Sequence, residues 1–176
     1  DDFRQLQRRA NPLGLSLYSI IVAQHEQILA WLTTQSFVDP KRIGFYGLSY
    51  GGKSALYLPA LIDQYALSIS AGNFNDWARK LAETSNPLSY MFTGEYEMPE
   101  FNLANTFSHA ELAALIAPRP FMVERGHEDG VARDESVAYE YAKVRRYYDD
   151  LGLGDRTRIE VFSGGHTIHG VGTFEF

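Results

Sequence analysis

The sequence predicts an α/β protein whose mostly parallel sheet is covered by helices. Short apolar segments alternate with helical segments along the 176 residues, as in successive βα units. Residues 43–46, Ile-Gly-Phe-Tyr, are apolar and uncharged, as expected of a buried central strand. The composition, 45% hydrophobic and 22% charged, is that of a globular domain with one core. We therefore expect residues 1–176 to form a single domain.

The first part of the chain predicts a helix that leads into this strand. Residues 1–12 are polar and predict a surface segment. Across residues 15–33, apolar side chains recur at spacings of three and four, which predicts an amphipathic helix with Ser16 as its N-cap. An Asp-Pro turn at residues 37–41 then delivers the chain into the strand.

The rest of the chain predicts three more strands and further helices. The strands are expected at residues 65–71, 121–124 and 158–162, and the helices at residues 53–58, 110–116 and 133–151. Residues 77–105 are rich in aromatic, polar and proline residues and show no sustained period, so we expect an insertion near the functional site. The last residues, GTFEF, predict the start of another helix, and we expect the chain to be part of a longer protein.

Charge and composition argue against several classes of function. The net charge of −6 and the pI near 5.3 provide no basic surface for nucleic acid or anionic lipid. The chain has no cysteine, which excludes disulfides, thiolate metal sites and a cysteine nucleophile. No apolar run approaches the roughly 18 residues of a membrane span. We expect a soluble chain without nucleic-acid or membrane partners, and no oligomeric state follows from the sequence.

A Gly-x-Ser-x-Gly pentapeptide at residues 47–51 connects the first strand to the next helix. The small residues two before and two after Ser49 let the backbone bend sharply, which lifts the hydroxyl above the sheet at the positive end of the helix. A glycine-rich turn that binds phosphate is the alternative, and the absence of Gly-x-Gly-x-x-Gly argues against a dinucleotide site. We therefore expect Ser49 to be a nucleophile.

A serine nucleophile needs a histidine base and a carboxylate that orients it. Two later strands are followed by loops that carry such groups, Asp129 after the third strand and His166 after the fourth. Because parallel strands end at one edge of the sheet, residues distant in sequence converge there. Ser49, Asp129 and His166 are therefore the predicted triad.

The sequence leaves two candidates for the base. Gly164 and Gly165 permit an unusual backbone path that aims His166 at the sheet edge, and His169 is the second choice. The three remaining histidines are expected to be structural: His25, His109 and His127. Because the histidines lack a paired ligand spacing, we predict neither a metal site nor a cofactor.

The choice of acid is also open. Asp129 has a short side chain on the loop just beyond its strand, and the neighbouring Glu124 and Glu128 reach further. Asp76 follows the second strand and would serve if the acid belonged to that loop.

Stabilising the tetrahedral intermediate requires donors for an oxyanion. The amide of Tyr50, the residue after the nucleophile, is the expected first donor. The second is expected from an earlier strand-to-helix loop, which does not occur within this sequence. We therefore expect the isolated chain to be weakly active or inactive.

Four motifs, GLSYGG, PRPFMVERGHEDGV, FSGGH and the lead-in FVDPKRIGFYG, resemble the α/β-hydrolase superfamily. They are most similar to its dienelactone-hydrolase-like and acetyl xylan esterase-like branch. This resemblance implies a three-layer α/β-hydrolase fold whose N-terminal strands are missing from this chain. It also implies Ser49 as nucleophile, His166 as base and Asp129 as acid. Some carbohydrate esterases of the superfamily carry the acid after the earlier strand, so Asp76 stays a candidate.

The same resemblance implies hydrolysis of carboxylic esters through an acyl-enzyme. Small-molecule or carbohydrate acyl esters are the implied substrates, and a periplasmic or secreted location is favoured. A peptidase or lactone hydrolase using the same triad is the nearest competing function. Outside enzymes, the competing function is that of a non-catalytic carbohydrate-binding or scaffold relative.

Overall fold

A computed structural model describes residues 2–176 and contains a four-stranded sheet with helices. The helices are α1 (Asp2–Ala10), α2 (Tyr18–Leu32), α3 (Tyr50–Leu61), α4 (Trp77–Ala82), α5 (Leu103–Thr106), α6 (His109–Ala114), α7 (Asp134–Asp150) and α8 (Gly172–Glu175). The strands are β1 (Gly44–Leu48), β2 (Leu67–Ala71), β3 (Phe121–Gly126) and β4 (Thr157–Phe162). Strand and helix alternate from β1 onward, as the sequence predicted.

All three strand pairs are parallel, and the strand order is β1-β2-β3-β4. Leu48 pairs with Ala71, which pairs with Glu124, so the ends of the first three strands are in register. The loops that follow all four strands therefore leave from the same edge of the sheet. This carboxyl edge is where ligands bind in parallel α/β sheets.

The main core lies on one face of the sheet. Phe45, Phe121 and Val123 point to that face and pack with buried side chains of α2, α3, α6 and α7. On the other face, the hydroxyls of Tyr46 and Thr173 donate to the buried carboxylate of Glu124 at 2.8 Å and 2.7 Å. Helices thus lie on both faces, and the predicted α/β fold is confirmed.

Helix α3 approaches the sheet more closely than side chains would permit. A Cβ atom on Gly47 would lie 2.2 Å from the carbonyl oxygen of Gly51, and one on Gly52 would lie 2.2 Å from that of Ala71. These two glycines therefore bring the start of α3 directly onto β1 and β2. Gly47 therefore has the steric role that the pentapeptide predicted, whereas Gly51 does not, since a Cβ atom there would have no heavy atom within 4 Å.

The structure corrects two local predictions. Residues 2–10, predicted as a surface segment without a helix, form the helix α1, which lies at the surface except for the fully buried Gln7. Leu17, not Ser16, is the N-cap of α2, although the Ser16 hydroxyl accepts a hydrogen bond from the Tyr18 amide at 3.1 Å. The predicted insertion at residues 77–105 contains the short helix α4 and most of α5.

Among the described residues, no helix combines the length and apolarity needed to cross a membrane.

Candidate active site

Ser49 occupies the turn between β1 and α3, and its backbone is strained. Its φ of 61° and ψ of −119° lie in a region that non-glycine residues rarely adopt. The Ser49 amide donates to the Ala71 carbonyl at 3.0 Å, and the Ser49 carbonyl accepts from the Lys53 amide at 2.9 Å. These bonds fix the turn between β2 and the first turn of α3, and the Ser49 residue remains exposed.

His166 and Asp129 form a hydrogen-bonded pair. The Nδ1 atom of His166 lies 2.9 Å from Oδ2 of Asp129, whose side chain is only 1% exposed. The second oxygen, Oδ1, accepts a hydrogen bond from the Val131 amide at 2.9 Å. A carboxylate held in this way orients an imidazole, because it fixes Nδ1 and leaves Nε2 free for another partner.

Gly72, the residue after β2, lies against the ring of His166. A Cβ atom at this position would be 2.9 Å from Cε1 of His166 and 2.9 Å from Cδ1 of Leu48, the residue before Ser49. Gly72 also has a φ of +61°, which other residues rarely adopt. The missing side chain thus makes room for the imidazole beside the serine turn.

Two buried cations hold the loop that carries Asp129, defined here as the acid loop (residues 127–133). Arg125 donates to the carbonyls of Asp129 and Ala132 at 3.0 Å and 2.7 Å. From α4, the ammonium of Lys80 donates to the Val131 carbonyl at 2.6 Å. Burial lowers the pKa of Lys80 to about 8. Sequence reasoning missed Lys80, since a lysine in an aperiodic segment carries no signal of this contact.

The loop that carries His166, defined here as the histidine loop (residues 163–170), is held by two glutamates. Glu128 binds the Gly164 amide and accepts from the Ser163 hydroxyl at 3.3 Å. Glu124 accepts from the amides of His169 and Gly170 at 3.0 Å and 3.1 Å. Burial alone would raise the pKa of Glu124, but these hydrogen bonds and that from Thr173 lower it. Both glutamates, which the sequence left open as the acid, are therefore supports of the loop.

His169 and Asp76, the second candidates for base and acid, each take part in a separate interaction. His169 directs Nδ1 to Oε1 of Glu160 at 2.9 Å and stacks on Phe162 with ring centroids 4.3 Å apart. Asp76 is the N-cap of α4, where its side chain accepts from the Arg79 amide at 3.2 Å. Asp129 and His166 are thus the acid and base candidates that the structure brings together.

Tyr50, whose amide is the expected oxyanion donor, is the first residue of α3. Amides in the first turn of a helix have no acceptor within the helix. The Tyr50 amide therefore lies at the positive end of α3, directly after Ser49. The Tyr50 hydroxyl is buried and has no hydrogen-bond partner among the described residues.

Residues 47–54 also match the pattern Gly-x-x-x-x-Gly-Lys-Ser, which is typical of a phosphate-binding loop. The position of the Lys53 side chain argues against phosphate binding. It is fully buried, donates to the Met98 carbonyl at 2.6 Å and pairs with the carboxylate of Glu100. Burial lowers the pKa of Lys53 even though Glu100 opposes the shift. A lysine used in this way is not available to a phosphate, and it ties residues 97–100 to α3.

His109 has a structural setting, as predicted. Its Nδ1 accepts from the Asn75 amide at 3.1 Å, and its ring stacks on Trp77 with centroids 4.4 Å apart. The residue is fully buried, and burial, followed by the charge of Lys53, lowers the pKa of His109 to about 3. His109 is therefore neutral and supports the loop after β2. Within residues 2–176, no cluster of three or more acidic or histidine side chains could hold a metal ion.

Comparisons with known proteins show the family of this chain. The family model described as "Prolyl oligopeptidase family" matches residues 21–153. A Bacillus subtilis (strain 168) protein that carries the name hydrolase YtaP is 29% identical over 153 residues, which cover 87% of this chain and 50% of that protein.

Solved structures share the fold. A carbohydrate esterase family 15 glucuronoyl esterase from Caldicellulosiruptor kristjansonii has a TM-score of 0.71 at 22% identity, over 92% of this chain and 49% of its own. A protein from Bacteroides fragilis NCTC 9343 named for acetyl xylan esterase has a TM-score of 0.68 at 20% identity, over 91% and 40%. The acylaminoacyl peptidase of Pyrococcus horikoshii has a TM-score of 0.63 at 22% identity, over 93% and 26%.

These matches confirm the predicted α/β-hydrolase fold and the resemblance to its acetyl xylan esterase-like branch. The dienelactone-hydrolase-like part of the resemblance stays a prediction. The chain spans about half the length of the curated relative and of the glucuronoyl esterase.

Proposed function

The chain belongs to the prolyl oligopeptidase family, and from this premise we propose that its protein is a serine hydrolase of carboxylic esters, acting through an acyl-enzyme. Ser49 is the nucleophile, His166 the base and Asp129 the acid. The observation that carries the proposal is the 2.9 Å contact between His166 and the buried Asp129, beside the strained turn of Ser49.

The chemistry follows from which atoms remain free. Because Nδ1 of His166 faces Asp129, Nε2 is the atom that accepts the Ser49 proton as Oγ attacks the ester carbonyl. The Tyr50 amide stabilises the resulting oxyanion. When the intermediate collapses, Nε2 returns the proton to the departing alcohol and an acyl-Ser49 ester forms. Water, deprotonated by the same nitrogen, then releases the carboxylic acid.

Esters of carbohydrates are the substrate class that we propose. The likeness to proteins named as glucuronoyl and acetyl xylan esterases supports this choice. A peptidase is the second candidate, because the family model and the acylaminoacyl peptidase both point to amide hydrolysis. The same triad serves both reactions, so the geometry of Ser49, Asp129 and His166 does not separate them.

Two assays on the full-length protein separate these candidates. Fluorophosphonate labelling that disappears in Ser49→Ala identifies the nucleophile, and Ser85→Ala, at an exposed serine of the 77–105 segment, is the matched control. Acetylated xylo-oligosaccharides are then compared with an N-acetylaminoacyl amide. Faster turnover of the sugar ester supports the esterase, whereas preferred amide cleavage supports the peptidase. Labelling that persists in Ser49→Ala contradicts the proposal.

We further propose that residues 1–176 form one domain that needs additional chain for full activity. Tyr50 supplies one oxyanion donor, and the second is expected from a preceding strand-to-helix loop outside these residues. Losing one donor costs about 10²- to 10³-fold in turnover. The isolated chain is therefore expected to be slower than the full-length protein by this factor, and equal turnover would contradict this proposal. Export to the periplasm or the medium remains a prediction.

A further inference from the structure

An apolar cavity of about 540 Å³ lies beside Tyr50. Its volume is within the range of about 300–1,000 Å³ that is typical of small-molecule sites. Besides Tyr50, five apolar residues line it: Phe3, Leu6, Leu17, Ile20 and Ile21. The polar lining residues are Gln24 and Glu97, and the Glu97 carboxylate is paired with Arg4 at 2.9 Å.

The direction of α2 places one end of this cavity near the carboxyl edge of the sheet. The first turn of α2 is next to the start of α3, because the hydroxyl of Tyr18 lies 2.8 Å from that of Ser54 and its ring stacks on Tyr50. Further along α2, His25 lies 2.6 Å from the hydroxyl of Tyr65, which precedes β2 at the opposite edge. Leu17 and Ile20 therefore line the end of the cavity nearest the edge that carries Ser49, and Gln24, next to His25, lines the end that points toward the opposite edge.

The cavity and the imidazole approach the serine turn from different sides. His166 lies over Gly72 and is bound to Asp129, so it belongs to the loops after β2, β3 and β4. The cavity is instead built by α1, α2 and Tyr50. Because the imidazole must protonate the departing alcohol, the alcohol occupies the side of His166. The side of Tyr50 is left for the acyl group.

We propose that this cavity is the acyl pocket of the enzyme and that it binds an alkyl acyl chain longer than acetyl. The inference rests on the proposed ester hydrolysis and adds the class of acyl group. Phe3, Leu6 and Ile20 are 44–47% exposed, so an alkyl chain removes apolar surface of both partners from water. Besides Gln24 and the Tyr50 hydroxyl, the wall offers no uncommitted polar side chain to a hydroxylated acyl group, since Glu97 is paired with Arg4.

The proposal predicts how rate depends on chain length. Burying one methylene in the transition state raises kcat/KM about fourfold. p-Nitrophenyl butyrate, two methylenes longer than the acetate, is therefore expected to react about 10- to 20-fold faster with the full-length protein. Replacing the alcohol at constant acyl group should not reproduce this gain.

Filling the cavity should remove the preference. Ile20→Trp and Leu6→Trp occupy it from two different helices and are expected to lower kcat/KM for the butyrate at least tenfold, and for the acetate by a smaller factor. Ile28→Trp is the matched control, because Ile28 lies on the same helix, is 47% exposed like Ile20, and does not line this cavity. Thermal unfolding of each variant shows whether it is folded. Because two variants fill the cavity independently, the test still applies if one of them does not fold.

The outcomes separate this inference from the proposed function. Ser49-dependent acetate hydrolysis without a gain for butyrate overturns the acyl pocket and leaves the esterase intact. A gain that survives both filling variants also overturns the pocket, because the chain must then bind elsewhere. Absence of any Ser49-dependent ester hydrolysis overturns both. A butyrate preference lost in Ile20→Trp and Leu6→Trp but kept in Ile28→Trp supports the pocket.

Discussion

The Nδ1 atom of His166 lies 2.9 Å from Oδ2 of Asp129, although 37 residues separate them in the chain. The contact is made where the loops after β3 and β4 leave the sheet, and the aspartate side chain is almost fully buried. If this contact orients the imidazole, replacing Asp129 should lower activity far more than replacing any other carboxylate.

Replacing the acid should remove most of the activity without unfolding the protein. In the full-length protein, Asp129→Asn is expected to lower kcat by about 10³- to 10⁴-fold, because the amide no longer fixes the correct tautomer of His166. Ester hydrolysis and thermal unfolding measure the two effects.

Asp76→Asn is the matched control for this acid. Since Asp76 caps α4, its replacement is expected to change stability by about 1 kcal/mol or less and kcat by less than a few fold. If Asp76→Asn were the variant that loses activity, the assignment of Asp129 would be wrong.

Gly72 should be intolerant of a side chain. Gly72→Ala places a methyl group 2.9 Å from the His166 ring in a backbone conformation with φ of +61°. Since a displacement of about 1 Å can cost about 100-fold, we expect a 10- to 100-fold lower kcat together with reduced stability. Steady-state kinetics and denaturant unfolding test this expectation. Gly94→Ala is the control, because a Cβ atom there has no heavy atom within 4 Å.

Lys80 is expected to act as a positioning residue for the acid. Lys80→Met leaves the Val131 carbonyl without its donor, and the Val131 amide is the group that binds Oδ1 of Asp129. A lost buried hydrogen bond of this kind costs about 1–3 kcal/mol in the free energy of unfolding. We expect this cost together with a several-fold lower kcat at unchanged KM.

The readouts for Lys80 are kinetics and urea unfolding. Lys41→Met, at an exposed lysine before β1, should change neither quantity. A stability loss in Lys80→Met with normal kcat would show that the residue supports the fold alone.

His109 should make stability depend on pH. Its folded-state pKa is about 3 and its ordinary value about 6.5, so between these values the unfolded chain binds a proton that the folded chain does not. The free energy of unfolding therefore falls as pH decreases from 6.5 toward 3, by at most about 1.4 kcal/mol per pH unit from this residue.

His109→Asn supplies an acceptor for the Asn75 amide without a titrating group. Urea unfolding of both proteins between pH 4 and 7 is the measurement, and their difference removes the shared contribution of the carboxylates. The variant should be less stable at pH 7, and its free energy of unfolding should depend less steeply on pH. Parallel slopes would mean that His109 does not remain neutral in the folded chain.

Local sequence patterns determined the order of strands and helices and the position of the serine turn. These patterns are the uncharged strand, the glycines around Ser49 and the three-and-four spacing of α2. Each extends over few residues, where backbone sterics and apolar periodicity decide the structure. The parallel topology then followed from alternation, and with it the shared edge that carries Ser49, Asp129 and His166.

Tertiary packing decided what no local pattern encodes. Asp129, Glu124 and Glu128 are all carboxylates near one strand end, and the path of two loops selects the one that meets the imidazole. The same holds for Lys53 and Lys80, whose burial depends on contacts with distant carbonyls, and for Gly72, whose missing side chain is explained by a ring 94 positions later in the sequence. The sequence by itself thus determined the serine turn and its family, whereas the fold decided its partners, because a hydrogen bond or a steric clearance between distant residues exists only after the chain has packed.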